Sequence, residues 1–158
     1  MMNKPKALIK VGAIQQRILH IRGEKVIVDA DLAEAYGVTT KALNQAVRRN
    51  LYRFPPDFMC SLTKAEKAEV VTNCDHLQRL KFSPVAPQVF TEHGAIMAAS
   101  VLNSPRAIEV SVFVVRAFVQ LRETLAQHKE IAGKIENAVR QFVVPDLLPW
   151  RFSTISCW

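Results

Sequence analysis

Residues 29–53 read DADLAEAYGVTTKALNQAVRRNLYR, and they predict two helices joined by a turn. Asp29 and Asp31 place carboxylates where the dipole at a helix N-terminus favours them. The helical segment that follows stops at Gly37, since glycine is the residue best suited to the left-handed position after a helix. Val38 supplies the apolar contact that closes such a cap. The sequence therefore predicts a short first helix and a tight turn.

The second part of the stretch predicts another helix, from about Lys41 to Tyr52. Thr39 or Thr40 can cap it, and two prolines follow its end. A turn of three or four residues then joins the two helices, with the small Ala33 where they approach each other. Four apolar residues are expected to form the shared core: Leu32, Val38, Leu43 and Val47. This arrangement is a helix-turn-helix.

The second helix has one polar face, which we expect to be exposed, and one apolar face formed by Leu43, Val47 and Leu51. No acidic residue occurs between Glu34 and Asp57, and the four basic residues in that interval give it a local charge of +4. Asparagine and glutamine can bind adenine, arginine can bind guanine, and lysine and arginine also neutralise phosphate. The polar face consists of Lys41, Asn44, Gln45, Arg48 and Tyr52.

The flanking segments predict short strands. Residues 18–28 read as a small β-hairpin around a glycine-containing turn, with Arg22 and Lys25 at a basic tip. Residues 57–62 are a further strand candidate. A loop with two prolines is expected over residues 73–87.

Capping signals predict the remaining helices. Thr63 and Glu66 form a capping box that opens a helix to about Val71. Another helix is expected from about Thr91 to Leu102, and a further one begins at Pro105 behind a Ser104 cap. Its run of valines continues without a breaker as an apolar helical pattern. The expected fold class is α+β: a helix-turn-helix core with a small hairpin and short strands, followed by a long C-terminal helical segment.

The apolar positions from Leu121 onward alternate four and three residues apart, which is typical of a coiled coil of about three heptads. This heptad seam consists of Leu121, Leu125, His128, Ala132, Ile135, Val139 and Phe142. Two interpretations remain open: a homodimer joined through the seam, and an amphipathic helix packed on its own domain. We divide the chain into a basic arm (1–17), a domain (18–126), a helical extension (127–142) and an irregular tail (143–158).

Composition narrows the class of protein. With 158 residues, 49% of them hydrophobic and 22% charged, the chain has the size and balance of one ordinary domain. The longest uncharged run in its middle, from His93 to Pro105, is shorter than the roughly 20 apolar residues that span a bilayer. Basic residues interrupt the N-terminus before a secretory signal can form. We expect a cytoplasmic protein without membrane contact, whose net charge of +7 suits a polyanionic partner.

Catalytic and metal-binding motifs are missing from the sequence. Cys60, Cys74 and Cys157 fit neither a disulfide framework nor paired zinc ligands. His76 lies close to Cys74, but no second ligand pair follows at zinc spacing. The chain contains no nucleophile elbow, zinc-protease motif or Walker loop. We therefore expect no catalysis, no metal and no cofactor.

Two longer strings carry a family resemblance. DADLAEAYGVTTKALNQAVRRNLYRFPPDFMCSLT (29–63) and VFTEHGAIMAASVLNSPRAIEVSVFVVRAFVQLRE (89–123) resemble the KilA-N type DNA-binding domain of phage and prophage proteins. The similar branch is named for an open-reading-frame-six N-terminal domain, and the match covers about residues 18–125. The resemblance implies an α+β DNA-binding domain, found in phage antirepressors and related regulators, whose DNA-facing helix is residues 43–50. The tail after Phe142 matches nothing in this family.

Two functional hypotheses follow. The first is a double-stranded-DNA-binding regulator of phage or prophage type, which reads the major groove with the 41–52 helix. Its expected DNA contacts are Thr40, Lys41, Asn44, Gln45, Arg48, Arg49, Arg53, Arg22 and Lys25, of which Asn44, Gln45 and Arg48 read bases. The second is an antirepressor-type interaction module that inactivates a repressor protein through its C-terminal helices.

Overall fold

The computed structural model describes residues 11–142 and 156–157 and confirms the α+β class with a helix-turn-helix core. The helices are α1 (Val11–Gln15), α2 (Asp29–Tyr36), α3 (Thr40–Arg49), α4 (Lys64–Asn73), α5 (Glu92–Leu102) and α6 (Pro105–Phe142). The strands are β1 (Ile18–Ile21), β2 (Glu24–Val28), β3 (Met59–Ser61), β4 (Gln88–Phe90) and β5 (Ser156–Cys157). Two 3-10 segments, Leu51–Arg53 and Asp75–Phe82, lie between them.

The strands form one antiparallel sheet in the order β3-β4-β2-β1-β5. Arg22 and Gly23 join β1 to β2, and their φ angles of 53° and 77° are both positive, as a two-residue type I′ hairpin turn requires. Strand β4 lies between β2 and β3, with Phe90 opposite Ile27. The predicted hairpin is confirmed, and so is a strand within residues 57–62.

Side chains alternate across this sheet, so the strands contribute to two hydrophobic cores. On one face Ile27 and Phe90 pack with buried residues of α2, α3, α5 and α6. On the other face Val28 and Val89 pack with α4 and with Leu77 of the 75–82 segment. Burial on both faces explains why β2 ends in three consecutive apolar residues.

The turn between α2 and α3 is a Schellman motif. Gly37 adopts the left-handed conformation, with φ 71° and ψ 29°. Its N–H donates to the carbonyl oxygen of Glu34 at 3.1 Å, and the N–H of Val38 donates to that of Ala33 at 3.0 Å. The turn predicted at Gly37 is therefore confirmed.

Helix α3 begins at a threonine cap. The hydroxyl oxygen of Thr39 accepts a hydrogen bond from the N–H of Ala42 at 3.0 Å, so Thr39 is the N-cap and Thr40 is the first helical residue. Ala33 is buried where the two helices meet. Of the predicted shared residues, Leu32, Leu43 and Val47 are buried in one core cluster, and the partly buried Val38 packs against it.

The prediction that Leu51 joins the apolar face of this helix is wrong. The side chain of Leu51 is 56% exposed. Asn50 ends α3 with φ −126° and ψ 34°, and the chain then enters a 3-10 segment. Because a 3-10 turn rotates successive residues differently from an α-helix, Leu51 no longer follows the face of Leu43 and Val47.

The other predicted helices are confirmed with small shifts of their ends. Thr63 and Glu66 form both hydrogen bonds of the capping box at the start of α4. Thr91 caps α5, and the hydroxyl oxygen of Ser104 accepts from the N–H of Ala107 at 3.1 Å at the start of α6. The valine run after Pro105 is helical, as its uninterrupted pattern indicated.

Two elements between α4 and α5 differ from the prediction. The loop expected over residues 73–87 contains the 3-10 segment Asp75–Phe82, held by Leu77, which is 2% exposed. Strand β4 was not predicted at all, although it occupies the middle of the β3-β4-β2 pairing.

The ends of the described chain also correct the sequence interpretation. Residues 11–17 are not a loosely held arm, because Ile14 is buried and an N–H of Arg17 donates to Glu34 at 2.7 Å. Residues 1–10 lie outside the described part.

The predicted boundary between the domain (18–126) and the helical extension (127–142) falls inside the continuous helix α6. Residues 156–157 form a strand beside β1, so the tail is not irregular there, whereas residues 143–155 lie outside the described residues. Among the described helices, none combines the length and the run of apolar residues that a membrane span requires.

Candidate nucleic-acid interface

Helix α3 presents a polar face because its opposite face is anchored in the core. Leu43 is fully buried and Val47 nearly so. Four polar side chains on the outer side are exposed: Lys41, Gln45, Arg48 and Arg49. Within residues 11–142 and 156–157 none of these four forms an ion pair or a side-chain hydrogen bond. Their donors and acceptors are therefore available to a ligand.

Asn44 lies on the same face but is held by the protein. Its Nδ2 donates to Oδ2 of Asp29 at 3.0 Å, and Asp29 is buried at the start of α2. One amide N–H is therefore engaged, and the orientation of the amide is fixed. The second N–H and the carbonyl oxygen of Asn44 are the groups that an adenine edge would meet.

A cleft of about 340 Å³ runs along this face of α3. Thr40, Lys41 and Arg48 form one wall, and residues 83–87 form much of the other. Val85 on the second wall is 65% exposed. The face of α3 is thus bordered by a proline-containing segment that sequence analysis treated as a plain loop.

The residues after α3 extend the basic surface. Tyr52 is 79% exposed, and the guanidinium of Arg53 lies 5.6 Å from the centroid of its ring. Nε of Arg53 also donates to the hydroxyl oxygen of Tyr52 at 3.3 Å. This contact is a cation–π pair at the surface and keeps the Arg53 charge near the C-terminal end of α3.

The hairpin tip is engaged elsewhere. Nε of Arg22 donates to Oε2 of Glu66 at 2.8 Å, and a second guanidinium nitrogen donates to Oε1 of the same carboxylate. This paired hydrogen bonding lowers the pKa of Glu66 to about 2. Arg22 therefore already has a carboxylate partner on α4.

Lys25 occupies a different environment. It is half-buried on β2, where burial and the nearby charge of Arg122 lower the pKa of its ammonium group. The five residues of β2 lie between the hairpin turn and Asp29, whose carboxylate binds Asn44 of α3. They span roughly 16 Å of extended chain. Of the expected contacts, the structure brings Thr40, Lys41, Asn44, Gln45, Arg48 and Arg49 together near α3, whereas Arg22 and Lys25 lie apart.

Arg79 is a cation next to the start of α3 that was not among the predicted DNA contacts. Arg79 lines a second cleft, of about 430 Å³, together with Thr39 and Thr40. Its segment is fixed to α2 because Nε2 of His76 lies 3.1 Å from Oδ2 of the buried Asp31. The alternation of basic and apolar residues in HLQRLKF (76–82) was the signal in the sequence.

Asp31 contacts two basic side chains in this network. Arg17 lies 3.4 Å from its second carboxylate oxygen, so the buried carboxylate is flanked by Arg17 and His76. Burial raises the pKa of Asp31, against the opposing effect of these two neighbours. Through this contact with Asp31, His76 holds the 75–82 segment on α2.

The fold and this surface define a small α+β domain whose helix-turn-helix exposes a basic, acid-free helix face. The family model described as the ORF6N domain matches residues 16–101, which is just over half of the chain. The chain therefore belongs to the ORF6N family, a phage-associated domain family. Comparisons with curated proteins and with solved structures found no match.

Proposed function

We propose that this ORF6N protein is a double-stranded-DNA-binding regulator of phage or prophage type, without catalysis, acting in the cytoplasm where its DNA lies. The observation that carries the proposal is the outer face of α3, where Lys41, Gln45, Arg48 and Arg49 are exposed and have no side-chain partner in the part of the chain that the structure describes. A protein does not need four such groups on one helix for its own stability. A DNA duplex offers acceptors to all of them.

Each side chain has a role that follows from its chemistry. Gln45 and Arg48 would contact base edges in the major groove, and Asn44 would contact adenine with its orientation set by Asp29. Phosphates would be bound by Lys41, Arg49 and Arg53, with Thr40 at the N-terminal end of the helix. A helix of ten residues such as α3 has the diameter that fits the major groove.

The hairpin tip contributes less in this proposal. Arg22 would have to exchange its contact with Glu66 for a phosphate, and that exchange offsets most of the gain. Arg79 beside the start of α3 is better placed to meet the DNA backbone. The proposed interface is therefore α3 with the adjoining part of the 75–87 segment.

Selection of bound sites from random duplex DNA by the purified chain tests this function. We expect an enriched motif, and Arg48→Ala should relax the preference at one position, because a bidentate contact discriminates by about 1–3 kcal/mol. Lys64→Ala is the matched control, since Lys64 is exposed on α4 at the other face of the sheet. Failure of the wild-type chain to bind duplex DNA at low salt would refute the proposal.

A second candidate is an antirepressor that inactivates a repressor protein through its C-terminal helices. The observation that favours it is the exposed apolar surface of α6, where Ile131 and Ile135 are each more than half exposed. Such a chain would bind a repressor without needing DNA. The oligomeric state of the purified chain distinguishes two cases. A dimer would mean that this surface binds a second copy of the chain, whereas a monomer would leave the surface for another protein.

A further inference from the structure

Nearly half of α6, the part after Leu125, extends beyond the core of the domain. Leu121 is 4% exposed and Leu125 still packs against the core, whereas Ile131 is 54% exposed and Ile135 58% exposed. The helix continues for 17 residues after Leu125, about 25 Å at 1.5 Å per residue. The interpretation of an amphipathic helix packed on its own domain therefore fits α6 only as far as Leu125 among the described residues.

The heptad seam assigns a register to this part of α6. With Leu125 at position a, the a positions are residues 125, 132 and 139, and the d positions are residues 128, 135 and 142. The e positions that flank the seam hold Lys129 and Glu136, which carry opposite charges. The g positions on the other flank hold Ile131 and Ala138, which are apolar.

In a parallel pair of α6 helices, the residues at these e and g positions would face unsuitable partners. In a parallel coiled coil the g residue of one helix faces the e residue of the next heptad in the other. Ile131 would then lie beside the charged Glu136 of the partner, and His128 would stack on its own copy. No opposite charges would meet across the seam.

In an antiparallel pair of α6 helices, the same residues meet partners of matching chemistry. With Ala132 opposite the partner's Ile135, the next layer places His128 opposite the partner's Val139. In this orientation e positions face e positions and g positions face g positions, so Lys129 faces the partner's Glu136 twice by symmetry. Ile131 likewise meets the partner's Ala138, and the apolar flank is covered.

We propose that residues 125–142 of α6 form an antiparallel homodimer, with a second copy of this chain as the occupant of the exposed face. The reciprocal Lys129 and Glu136 contacts set the orientation, since e and g charges choose partner direction in coiled coils. The two domains then lie at opposite ends of the paired helices. This inference is independent of DNA binding.

The chain offers matched controls for the charge pair. Glu136 also forms an ion pair with Arg140 four residues later, at 2.9 Å, and Glu130 forms the equivalent pair with Lys134 at 3.2 Å. Glu130 and Lys134 occupy the outward f and c positions. Glu130→Lys therefore loses the same kind of intrahelical pair as Glu136→Lys without touching the proposed interface.

Analytical ultracentrifugation of the full chain tests the dimer. We expect a dimer in the micromolar range, and Ile135→Asp should make it monomeric because this change buries a charge in the seam. Circular dichroism of the same variant checks that the fold persists. A wild-type chain that stays monomeric up to high micromolar concentration would overturn the proposal and leave the face for another protein or another part of the chain.

Charge reversal tests the orientation. Lys129→Glu and Glu136→Lys each turn two attractions into two repulsions, so each should weaken dimerisation about tenfold. A mixture of the two variants should form heterodimers, and the double variant should regain wild-type affinity. Glu130→Lys should leave the dissociation constant unchanged. Equal effects of Glu130→Lys and Glu136→Lys would overturn the assigned register.

Cross-linking gives a readout independent of charge. Mixed His128→Cys and Val139→Cys chains should form a disulfide between unlike chains, because these positions share a layer in the antiparallel pair. Peptide mapping identifies the bridge against the native cysteines. A disulfide between two His128→Cys chains would show a parallel pair and overturn the proposal.

Discussion

The side chain of Arg106, at the start of α6, lies directly against Gly37 in the turn between α2 and α3. A Cβ on Gly37 would approach Cδ of Arg106 to 2.6 Å and its Nε more closely still. Nε of Arg106 is buried without a hydrogen-bond partner within the described residues. The angle between the two helices is thus set by the left-handed glycine and by the packing of α6 on the turn.

Gly37→Ala should destabilise the domain more than Gly23→Ala does. Both glycines have positive φ, but a Cβ on Gly23 would meet open space. Gly23→Ala should therefore cost about 1 kcal/mol from backbone strain alone, and Gly37→Ala about 1–2 kcal/mol because the side chain of Arg106 must also move away. Denaturant unfolding measures both changes.

The Arg106 contact supplies a double-mutant test of that difference. Arg106→Ala in the Gly37→Ala background should recover the part of the loss that comes from this contact, since the clashing side chain is gone. Equal losses at Gly37 and Gly23, with no coupling to Arg106, would contradict the importance of this contact.

Gly94 in α5 lies close to the backbone of another segment. A Cβ there would lie 2.9 Å from the carbonyl carbon of Phe58, and nearer to its oxygen. Gly94→Ala should therefore destabilise by about 2–3 kcal/mol, because a backbone group cannot rotate away. Gly133→Ala, on α6 in open space, should instead stabilise by about 0.5–1 kcal/mol through helix propensity. Thermal melts of the two variants should shift in opposite directions.

Asn44 should affect folding as well as binding. Asn44→Ala removes the donor to the buried Asp29 and should destabilise by about 1–3 kcal/mol, because a buried acceptor loses its partner. Gln45→Ala, one residue later and exposed, should leave the melting temperature unchanged while weakening DNA binding. Wild-type stability of Asn44→Ala would mean that Asp29 does not depend on this hydrogen bond.

The Arg22 and Glu66 pair predicts acid sensitivity. The pKa of Glu66 is about 2 in the folded chain against an ordinary value of 4.5, because Arg22 binds the ionised form. Its contribution to stability is fully present above pH 4.5 and is lost as the pH falls toward 2. Glu66→Gln should lower stability at neutral pH and flatten its decrease below pH 4.5, whereas Glu123→Gln on exposed α6 should do neither. Chemical unfolding at several pH values measures this.

Local signals explain why the helix-turn-helix was predictable. The Gly37 cap, the Thr39 cap and the Thr63 capping box each depend on residues within five positions of one another. The hairpin turn likewise needs only Arg22 and Gly23 in their left-handed conformations. Such features are encoded by neighbouring residues, and the sequence contains the whole signal.

Nonlocal contacts explain what the sequence did not reveal. Strand β4 has three residues and exists because two distant strands pair with its two edges. Arg22 reaches Glu66 across 44 positions, so its engagement could not be inferred from the basic tip. In the candidate site, the exposed face of α3 followed from helical periodicity, but the Asp29 bond to Asn44 and the wall formed by residues 83–87 required the folded chain.

Salt dependence is the direct test of phosphate contacts by α3. Arg49→Ala and Arg53→Ala should weaken binding to all duplex sequences alike and should each flatten the slope of log affinity against log salt by about one unit, since one fewer counterion is released. Fluorescence anisotropy over a salt series measures this slope. Arg22→Ala should leave the slope nearly unchanged, because Glu66 already neutralises that guanidinium. A loss for Arg22→Ala equal to that for Arg49→Ala would extend the interface to the hairpin. Unchanged slopes for both Arg49→Ala and Arg53→Ala would remove α3 and the 3-10 segment that follows it from the interface.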